Sequence, residues 1–186
     1  MLHRLLNWSL QARHASGLML LTVCFTLGGA WFIQIVLGIQ PCPLCLEQRL
    51  PYYASLPLLV ILIMQLRHDR PTMARISGLW MIILIAFAIA GGMGAYHAGV
   101  EWGLWKGPSD CTGDFKPAGL DQLLAQLNTV KVIRCDAVAM RIFGLSLAAW
   151  NAVIASCLVV FGALSLLHWR QSQRAGRTYG SSSLSQ

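Results

Sequence analysis

The sequence predicts an all-α membrane protein, a bundle of four transmembrane helices with one long loop on the outer side of the membrane. The 186-residue chain is 56% hydrophobic and only 11% charged, whereas soluble domains carry about 25% charged residues. Four stretches are apolar over the roughly 20 residues needed to cross a bilayer. The basic residues collect on one side of these stretches. The length suits a single compact domain.

The four predicted spans cover residues 15–37, 46–66, 76–97 and 145–167. The first span is too long for the apolar core of a signal peptide and no clear cleavage site follows it, so we expect it in the mature protein. Pro51 and Pro57 lie in the second span. There we expect a bend, because neighbouring helices and water can satisfy the carbonyl groups that proline leaves free. In the third span, glycines predict close helix packing: Gly91, Gly92 and Gly94.

The segments outside the spans complete the predicted organisation. Residues 1–14 form a short N-terminal segment, residues 15–168 the membrane domain, and residues 169–186 a polar tail that we expect to be disordered. The outer loop, about residues 98–144, contains leucines that share one helical face: Leu120, Leu123, Leu124 and Leu127. They predict a short helix, which could lie on the membrane surface or pack within the loop.

The charges predict the orientation of the spans. The N-terminus, the loop at residues 67–75 and the C-terminus share one side, with eight arginines and one aspartate, a net charge of +7. The other side carries six basic and six acidic residues and is neutral. Excess positive charge marks the cytoplasmic side, so both termini should be cytoplasmic. Because the arginines flank membrane spans, topology explains the basic balance and no nucleic-acid partner is expected.

Six cysteines carry the chemical signal: Cys24, Cys42, Cys45, Cys111, Cys135 and Cys157. The first and last lie in the middle of spans and are expected to act as small hydrophobic residues. The other four fall on the outer side, in a compartment that permits disulfides. Four cysteines can also bind zinc, usually as two closely spaced pairs. Only one close pair occurs here, so we expect no metal.

The close pair, Cys42-Pro43-Leu44-Cys45, stands where the second span begins. Proline favours the first position of a helix. If Pro43 takes it, Cys42 caps the helix and Cys45 lies in the first turn, where backbone N–H groups and the helix dipole favour a thiolate. The pattern therefore predicts thiol–disulfide exchange. Cys111 and Cys135, in the long loop, could form either a structural disulfide or a second redox pair.

Two charged or titratable residues accompany the close pair. Arg49 follows Cys45 by four residues, which in a continuous helix places it on the same face, one turn deeper. A charge inside a span is a functional candidate. Arg49 could stabilise the Cys45 thiolate and donate hydrogen bonds to a carbonyl-bearing ligand, or it could extend to the membrane surface. His97, the one histidine on the outer side, is either an interface residue or a ligand.

Together these features resemble the disulfide bond formation protein B family. The resemblance rests on four spans, the Cys-x-x-Cys that opens the second span, the arginine four residues later and the long outer loop with two cysteines. The segments 96–101 (YHAGVE), 107–111 (GPSDC) and 143–146 (FGLS), with Trp150-Asn151, are also similar to that family. The resemblance covers about residues 10–168.

The resemblance implies a bacterial inner-membrane enzyme that passes electrons from a periplasmic, DsbA-like thioredoxin-fold oxidase to ubiquinone or menaquinone. It implies that Cys111 and Cys135 form the disulfide that the reduced oxidase attacks. It also implies that Cys42 and Cys45 form the disulfide that the quinone regenerates. Cys42 would exchange with Cys135, and Cys45 would face the quinone as a thiolate adduct or charge-transfer partner. Arg49 and His97 would bind the quinone, and the leucine-rich helix would correspond to the family's membrane-lying segment.

Two other readings of the sequence remain. The chain could be a non-enzymatic membrane subunit or chaperone whose loop is held by two inert disulfides. All four outer cysteines would then be stably oxidised and slow to exchange. A thiol reductase that draws electrons from a cytoplasmic donor fits less well, because no cysteine lies near the predicted cytoplasmic surface.

Overall fold

The computed structural model describes residues 2–67, 72–108 and 134–182, and within these ranges it describes side-chain surroundings from residue 11 to residue 175. The elements, in chain order, are α1 (Leu2–Ile35), α2 (Pro43–Glu47), α3 (Leu50–Gln65), α4 (Met73–Glu101), β1 (Arg141–Ile142), β2 (Leu145–Ser146) and α5 (Leu147–Ser182). The prediction of a mostly helical chain is confirmed, with one short hairpin added.

Three helices in the described ranges are long and apolar enough to cross a membrane: Gln11–Ile35, Met73–Glu101 and Leu147–Ala175. The second predicted span contains α3, which has 16 residues. At 1.5 Å per residue it is about 24 Å long, shorter than the roughly 30 Å hydrocarbon core of a bilayer. The count of four spans therefore stays a prediction, as does the surface helix, because residues 109–133 lie outside the described ranges.

Helices α1, α3, α4 and α5 pack around a common apolar core, and α4 and α5 are in the closest contact. A Cβ atom on Gly94 would stand 2.7 Å from the backbone nitrogen of Ala152, so only glycine permits this approach of α4 to α5. Large apolar side chains on the outer faces are exposed, including Phe25 at 72% and Ile35 at 69%. Exposed apolar surface on this scale is typical of a protein that faces lipid.

The chain between Cys42 and α3 departs from the continuous helix predicted from residue 46. Helix α2 ends at Glu47, and α3 begins at Leu50 with Pro51 in its first turn. Pro51 lacks an N–H, and its ring clashes with the carbonyl four residues earlier, that of Glu47. The helix therefore breaks at Gln48 and Arg49. The interior of α3 continues through Pro57, so the break occurs at the first proline of the span.

The predicted disordered tail is helical as far as Ser182. Within it Ser172 is buried at 8% exposure, and Trp169 just before it is buried at 2%. Arg170 Nε donates to Ser77 Oγ at 3.0 Å, which ties the end of α5 to the start of α4. A helix that has already formed extends at little cost through residues of good helix propensity, and the arginines and glutamines between residues 170 and 175 are such residues. Composition alone indicated disorder because it does not register these contacts.

A two-stranded antiparallel hairpin precedes α5, and the sequence analysis did not predict it. Arg141 pairs with Ser146 and Ile142 with Leu145. The turn residues Phe143 and Gly144 have φ of 50° and 84°, the left-handed conformation that two-residue hairpin turns require. Ser146 Oγ then accepts the Ala149 N–H at 3.2 Å, in the manner of a helix N-cap. The hairpin therefore fixes the direction in which the chain enters α5.

Candidate redox site

Cys42 caps helix α2. Its backbone is extended, Pro43 lies in the first turn, and its Sγ accepts the Cys45 N–H at 3.2 Å. The local geometry predicted for this motif is confirmed. The cause is the sequence Cys-Pro: proline has no N–H to leave unpaired in the first turn and its fixed φ suits a helix start, so the preceding cysteine takes the capping position.

Cys42 and Cys45 are both free, with their sulfurs 2.8 Å apart. In the state where the Cys45 thiol donates to the Cys42 sulfur, Cys42 is a thiolate and also accepts the Cys45 N–H. The hydrogen bond between the two sulfurs lowers the pKa of Cys42 to about 5, and contacts with His97 and the Cys45 N–H act in the same direction against the effect of burial. The same contact raises the pKa of Cys45, and burial raises it further. The arrangement therefore favours a thiolate on Cys42 and not on Cys45, where the sequence predicted it.

Cys135 approaches Cys42 from the segment before the hairpin. It is disulfide-bonded and 1% exposed. The Cys42 sulfur, the Cys135 sulfur and a ring nitrogen of His97 all lie within 4.8 Å of one another. The predicted partner, Cys111, lies outside the described residues. A sulfur held in a disulfide is not a thiolate and so is a poor metal ligand, and the prediction that no metal binds stays a prediction.

His97, near the end of α4, is buried at 3% exposure between these groups. Its Nε2 lies 3.7 Å from Cys42 Sγ and 3.2 Å from the Cys135 carbonyl oxygen. Its Nδ1 lies 2.7 Å from Gln48 Nε2. His97 therefore contacts both sulfur-bearing segments, and the structure places it in the middle of the cluster and away from the protein surface.

A cavity of about 350 Å³ opens beside the cysteines. Its wall includes Cys42, Cys45, Arg49, His97 and Glu101. Most of the remaining wall is apolar, from α1, the loop that follows it, the hairpin segment and α5: Phe25, Ile33, Ile39, Met140, Ile142 and Ile154. Small-molecule sites commonly have volumes of about 300–1,000 Å³, apolar walls and a few polar groups. The cavity is of this kind.

Arg49 is held against α1 on the wall of this cavity. Its Nη1 donates to Gln34 Oε1 at 2.7 Å and its Nη2 to the Ala30 carbonyl at 3.4 Å. The guanidinium lies 5.7 Å from the centre of the Trp31 ring, a cation–π distance. Arg49 and Cys45 line the same cavity, and the hydrogen bonds of the guanidinium go to α1. Of its five N–H donors, two are used by the described residues.

Four polar residues at the site had no predicted role: Gln34, Gln48, Tyr52 and Asn151. All four fall inside predicted spans. A polar side chain in a membrane span is a functional candidate by default, so the sequence contained a signal for each of them. Glu101 also lines the cavity, and its Oε2 is buried without a hydrogen-bond partner among the described residues.

Comparison with known proteins places the chain in a family. The family model described as "Disulfide bond formation protein DsbB" matches residues 12–165. Disulfide bond formation protein B of Marinobacter nauticus is 31% identical over 175 residues, which is 87% of this chain and 99% of the relative. The proteins of the same name from Burkholderia ambifaria and Xanthomonas oryzae pv. oryzae are 31% and 30% identical over 82% and 79% of this chain, and over 86% and 84% of their own lengths.

No solved structure matches the chain. The family model nevertheless spans the close cysteine pair, Cys135, His97, Arg49 and all three membrane-length helices. The chain belongs to the disulfide bond formation protein DsbB family and is a multi-pass bacterial inner-membrane oxidoreductase that generates disulfides.

Proposed function

We propose that this protein reoxidises a periplasmic, DsbA-like thioredoxin-fold oxidase by thiol–disulfide exchange and passes the electrons to ubiquinone or menaquinone. One observation carries the proposal. The Cys42 sulfur lies within 4.8 Å of the sulfur of disulfide-bonded Cys135 and also on the wall of a cavity of about 350 Å³. A disulfide, a dithiol and a small-molecule cavity are therefore contiguous, as a relay between a protein donor and a small acceptor requires.

The relay begins at a disulfide between Cys111 and Cys135. A thiolate of the reduced partner attacks one sulfur of this bond and forms a mixed disulfide, and the partner's second thiol then displaces it. The partner leaves with a disulfide, and Cys111 and Cys135 become thiols. Two electrons and two protons have then moved from the partner to this chain.

The second exchange transfers these electrons to the inner pair. With Cys42 and Cys45 joined, the Cys135 thiolate attacks Cys42 Sγ, and Cys45 leaves as a thiol. The Cys111 thiolate then attacks Cys135, the outer disulfide re-forms, and Cys42 leaves as a thiolate. Capping by the Cys45 N–H and the approach of His97 stabilise that thiolate, which makes it a good leaving group. In the product state Cys135 is again in a disulfide, and the inner pair, Cys42 and Cys45, carries the two electrons.

The cavity fits a quinone headgroup, which is a flat apolar ring with carbonyl oxygens that accept hydrogen bonds. When bound, a quinone supplies a two-electron, two-proton acceptor. Arg49 has N–H donors beyond the two bonded to Gln34 and Ala30, and these would orient a carbonyl oxygen. Cys45 presents its thiol to the same space. The inner disulfide re-forms as the two sulfurs lose two electrons.

The proposed topology has four spans, with the membrane domain at residues 15–168, the long loop in the periplasm and both termini in the cytoplasm. The Arg170–Ser77 contact supports it, because it brings the end of α5 and the start of α4 to one end of the bundle. Cys42 and His97 lie at the opposite end. The arginine-rich segments and the redox site are therefore separated by the length of the helices, as the positive-inside rule requires.

The test is quinone reduction, followed by absorbance, in detergent-purified protein with a reduced thioredoxin-fold oxidase as donor. Wild type should turn over and Cys45→Ser should not. Cys157→Ser is the matched control, because this free thiol is exposed on the outer face of α5 and should be dispensable. Absence of turnover in wild type, with several donors and both quinone classes, would favour the non-enzymatic membrane subunit. Trapping thiols after mild reduction would then show four slowly exchanging outer cysteines.

A further inference from the structure

A chain of hydrogen-bonded side chains lies behind His97 and links α3, α5 and the break before α3. Tyr52 Oη donates to Asn151 Oδ1 at 2.6 Å. Asn151 Nδ2 donates to Gln48 Oε1 at 2.8 Å and to the Ala90 carbonyl at 3.2 Å. Gln48 Nε2 lies 2.7 Å from His97 Nδ1. We call Tyr52, Asn151, Gln48 and His97 the amide chain. Nothing in the proposed relay uses its first three members.

The Ala90 carbonyl fixes the direction of every bond in the amide chain. A backbone carbonyl only accepts hydrogen bonds, so Asn151 must turn its amide nitrogen toward it. The oxygen of Asn151 then faces Tyr52, and its second N–H faces the oxygen of Gln48. Gln48 must therefore present its own N–H to His97. The nitrogen of His97 that receives this N–H, Nδ1, carries no proton.

A second backbone carbonyl, at the His97 end of the amide chain, independently gives the same position for the proton on the His97 ring. His97 Nε2 lies 3.2 Å from the Cys135 carbonyl oxygen, which also can only accept. Nε2 must therefore carry the proton. The two backbone carbonyls, on different segments of the chain, agree on a neutral imidazole with its proton on Nε2.

We propose that Gln48 and Asn151 are positioning residues that hold His97 in its neutral Nε2–H form, so that the ring donates toward Cys42 Sγ and does not take up a proton. The inference rests on the proposed function only in assigning Cys42 as the exchanging thiolate. His97 Nε2 is 3.7 Å from that sulfur. His97 therefore stabilises the Cys42 thiolate as a hydrogen-bond donor, and it is not the base that deprotonates the thiol.

The Cys42 thiolate and the Glu101 carboxylate both face His97 and favour its charged form. The amide chain opposes that form because protonation at Nδ1 would set an N–H against the Gln48 N–H. Rotation of the Gln48 amide would relieve that contact but would turn its nitrogen toward Asn151 Nδ2, which is also a donor. Gln48 is 6% exposed and His97 3% exposed. Water is therefore poorly placed to satisfy the displaced donors, and a buried donor without an acceptor costs about 1–3 kcal/mol.

The experiment is NMR of purified protein carrying ¹⁵N-labelled histidine, with the His97 signals identified by their loss in His97→Gln. Ring nitrogen shifts and couplings distinguish the two neutral forms from the charged form. Wild type at neutral pH should show the neutral Nε2–H form. A wild-type signal of the charged form, or of the neutral form protonated at Nδ1, would overturn the inference without any variant.

Two variants test the positioning directly. Gln48→Glu replaces the donor to Nδ1 by an acceptor and should shift His97 to the charged form. Asn151→Asp does not touch His97, but its carboxylate should make Gln48 rotate, donate a hydrogen bond to the Asp carboxylate and accept one from an N–H at Nδ1. Gln34→Glu is the matched control, an amide-to-carboxylate change in the same cavity that bonds to Arg49, and it should leave His97 unchanged.

An unchanged His97 spectrum in both Gln48→Glu and Asn151→Asp would show that these residues fill space and do not control the protonation of His97. The measurement uses neither donor nor quinone. Failure of quinone turnover would therefore contradict the proposed function and leave this inference standing, and a charged His97 in wild type would do the reverse.

Discussion

The two ends of the helix bundle fill the space between the same helices in different ways. At the arginine-rich end, Trp80, Ile83, Leu59 and Leu62 are completely buried and pack side chain against side chain. At the other end, polar side chains bridge the helices in pairs and a cavity of about 350 Å³ remains. The packed end fixes the helices relative to one another. That rigidity allows the redox end to keep a cavity and free hydrogen-bond donors without collapsing around them.

The largest expected effect is on turnover, and it distinguishes a cysteine at the redox end from a cysteine elsewhere in the molecule. Cys42→Ser should abolish quinone-linked turnover, because Cys45 alone cannot re-form the inner disulfide. Cys24→Ser changes another free thiol, exposed on α1, and should keep wild-type turnover. Steady-state rates with the reduced donor measure both. Substantial turnover in Cys42→Ser would mean that electrons bypass the inner pair.

At the packed end, Trp80→Ala should lower the free energy of unfolding by about 3–5 kcal/mol, the usual loss for a buried large aromatic side chain. Denaturation in mixed detergent micelles measures it. The neighbouring Met81 is 44% exposed to the lipid side, so Met81→Ala should cost far less. Turnover per folded molecule should be unchanged in both variants. Similar losses in the two variants would contradict the contrast between core and lipid-facing positions.

Arg49→Met should weaken quinone use and leave the outer disulfide able to form. Hydrogen bonds to a charged group contribute about 1.5–3 kcal/mol, so the KM for quinone should rise about 10- to 100-fold. Arg75→Met, at the opposite end of the bundle, is the control. Unchanged quinone kinetics in Arg49→Met would remove this arginine from the binding site.

The reactivity of Cys42 should persist to a lower pH than the reactivity of an ordinary thiol. Its pKa is lowered to about 5 by the hydrogen bond from Cys45 and the contacts with His97 and the Cys45 N–H. Because the pKa is lowered, the thiolate persists through neutral pH and is lost only as the pH falls through about 5. Alkylation of the reduced protein by iodoacetamide should show a fast phase that is level from pH 8 to pH 6, as estimated from this shift. The phase should be absent in Cys42→Ser, and a midpoint near pH 8 would contradict the assignment.

The smallest expected effect is that of Tyr52→Phe. It removes the hydroxyl that donates to Asn151 Oδ1 and should cost about 1 kcal/mol of stability, the typical contribution of one hydrogen bond. The Ala90 carbonyl still orients Asn151, so the protonation of His97 should not change. A changed His97 spectrum would show that Tyr52 helps set the direction of the amide chain.

The sequence predicted most of the helical fold because hydropathy and span length are local properties. It also predicted the helix start at Cys42, since the Cys-Pro order determines it. The break at Gln48 and Arg49 had a local cause in Pro51, but apolar residues on both sides obscured it. The hairpin at Arg141–Ser146 is too short for alternation to reveal, and the helical tail depends on contacts such as Arg170 with Ser77.

For the site, the residue types in the sequence identified several candidates, but the contacts between them could not be predicted. The cysteines, Arg49 and His97 were candidates because their chemistry is unusual in or near a membrane span. The amide chain joins Gln48 to Asn151 across 103 positions, and a single sequence gives no measure of that proximity. Asn151 and Gln48 could each have been singled out as a polar residue in a predicted span, but their pairing could not.

The two-residue break before α3 also sets how the site can change. Gln48 reaches α4 through His97, and its neighbour Arg49 reaches α1 through Gln34. Neighbours in a helix diverge by about 100° around the axis, so the adjacent side chains of Gln48 and Arg49 reach two different helices. Inserting or deleting one residue at this point would displace the thiolate's support and the arginine anchor together. The length of this segment is therefore constrained as well as the identities of Gln48 and Arg49.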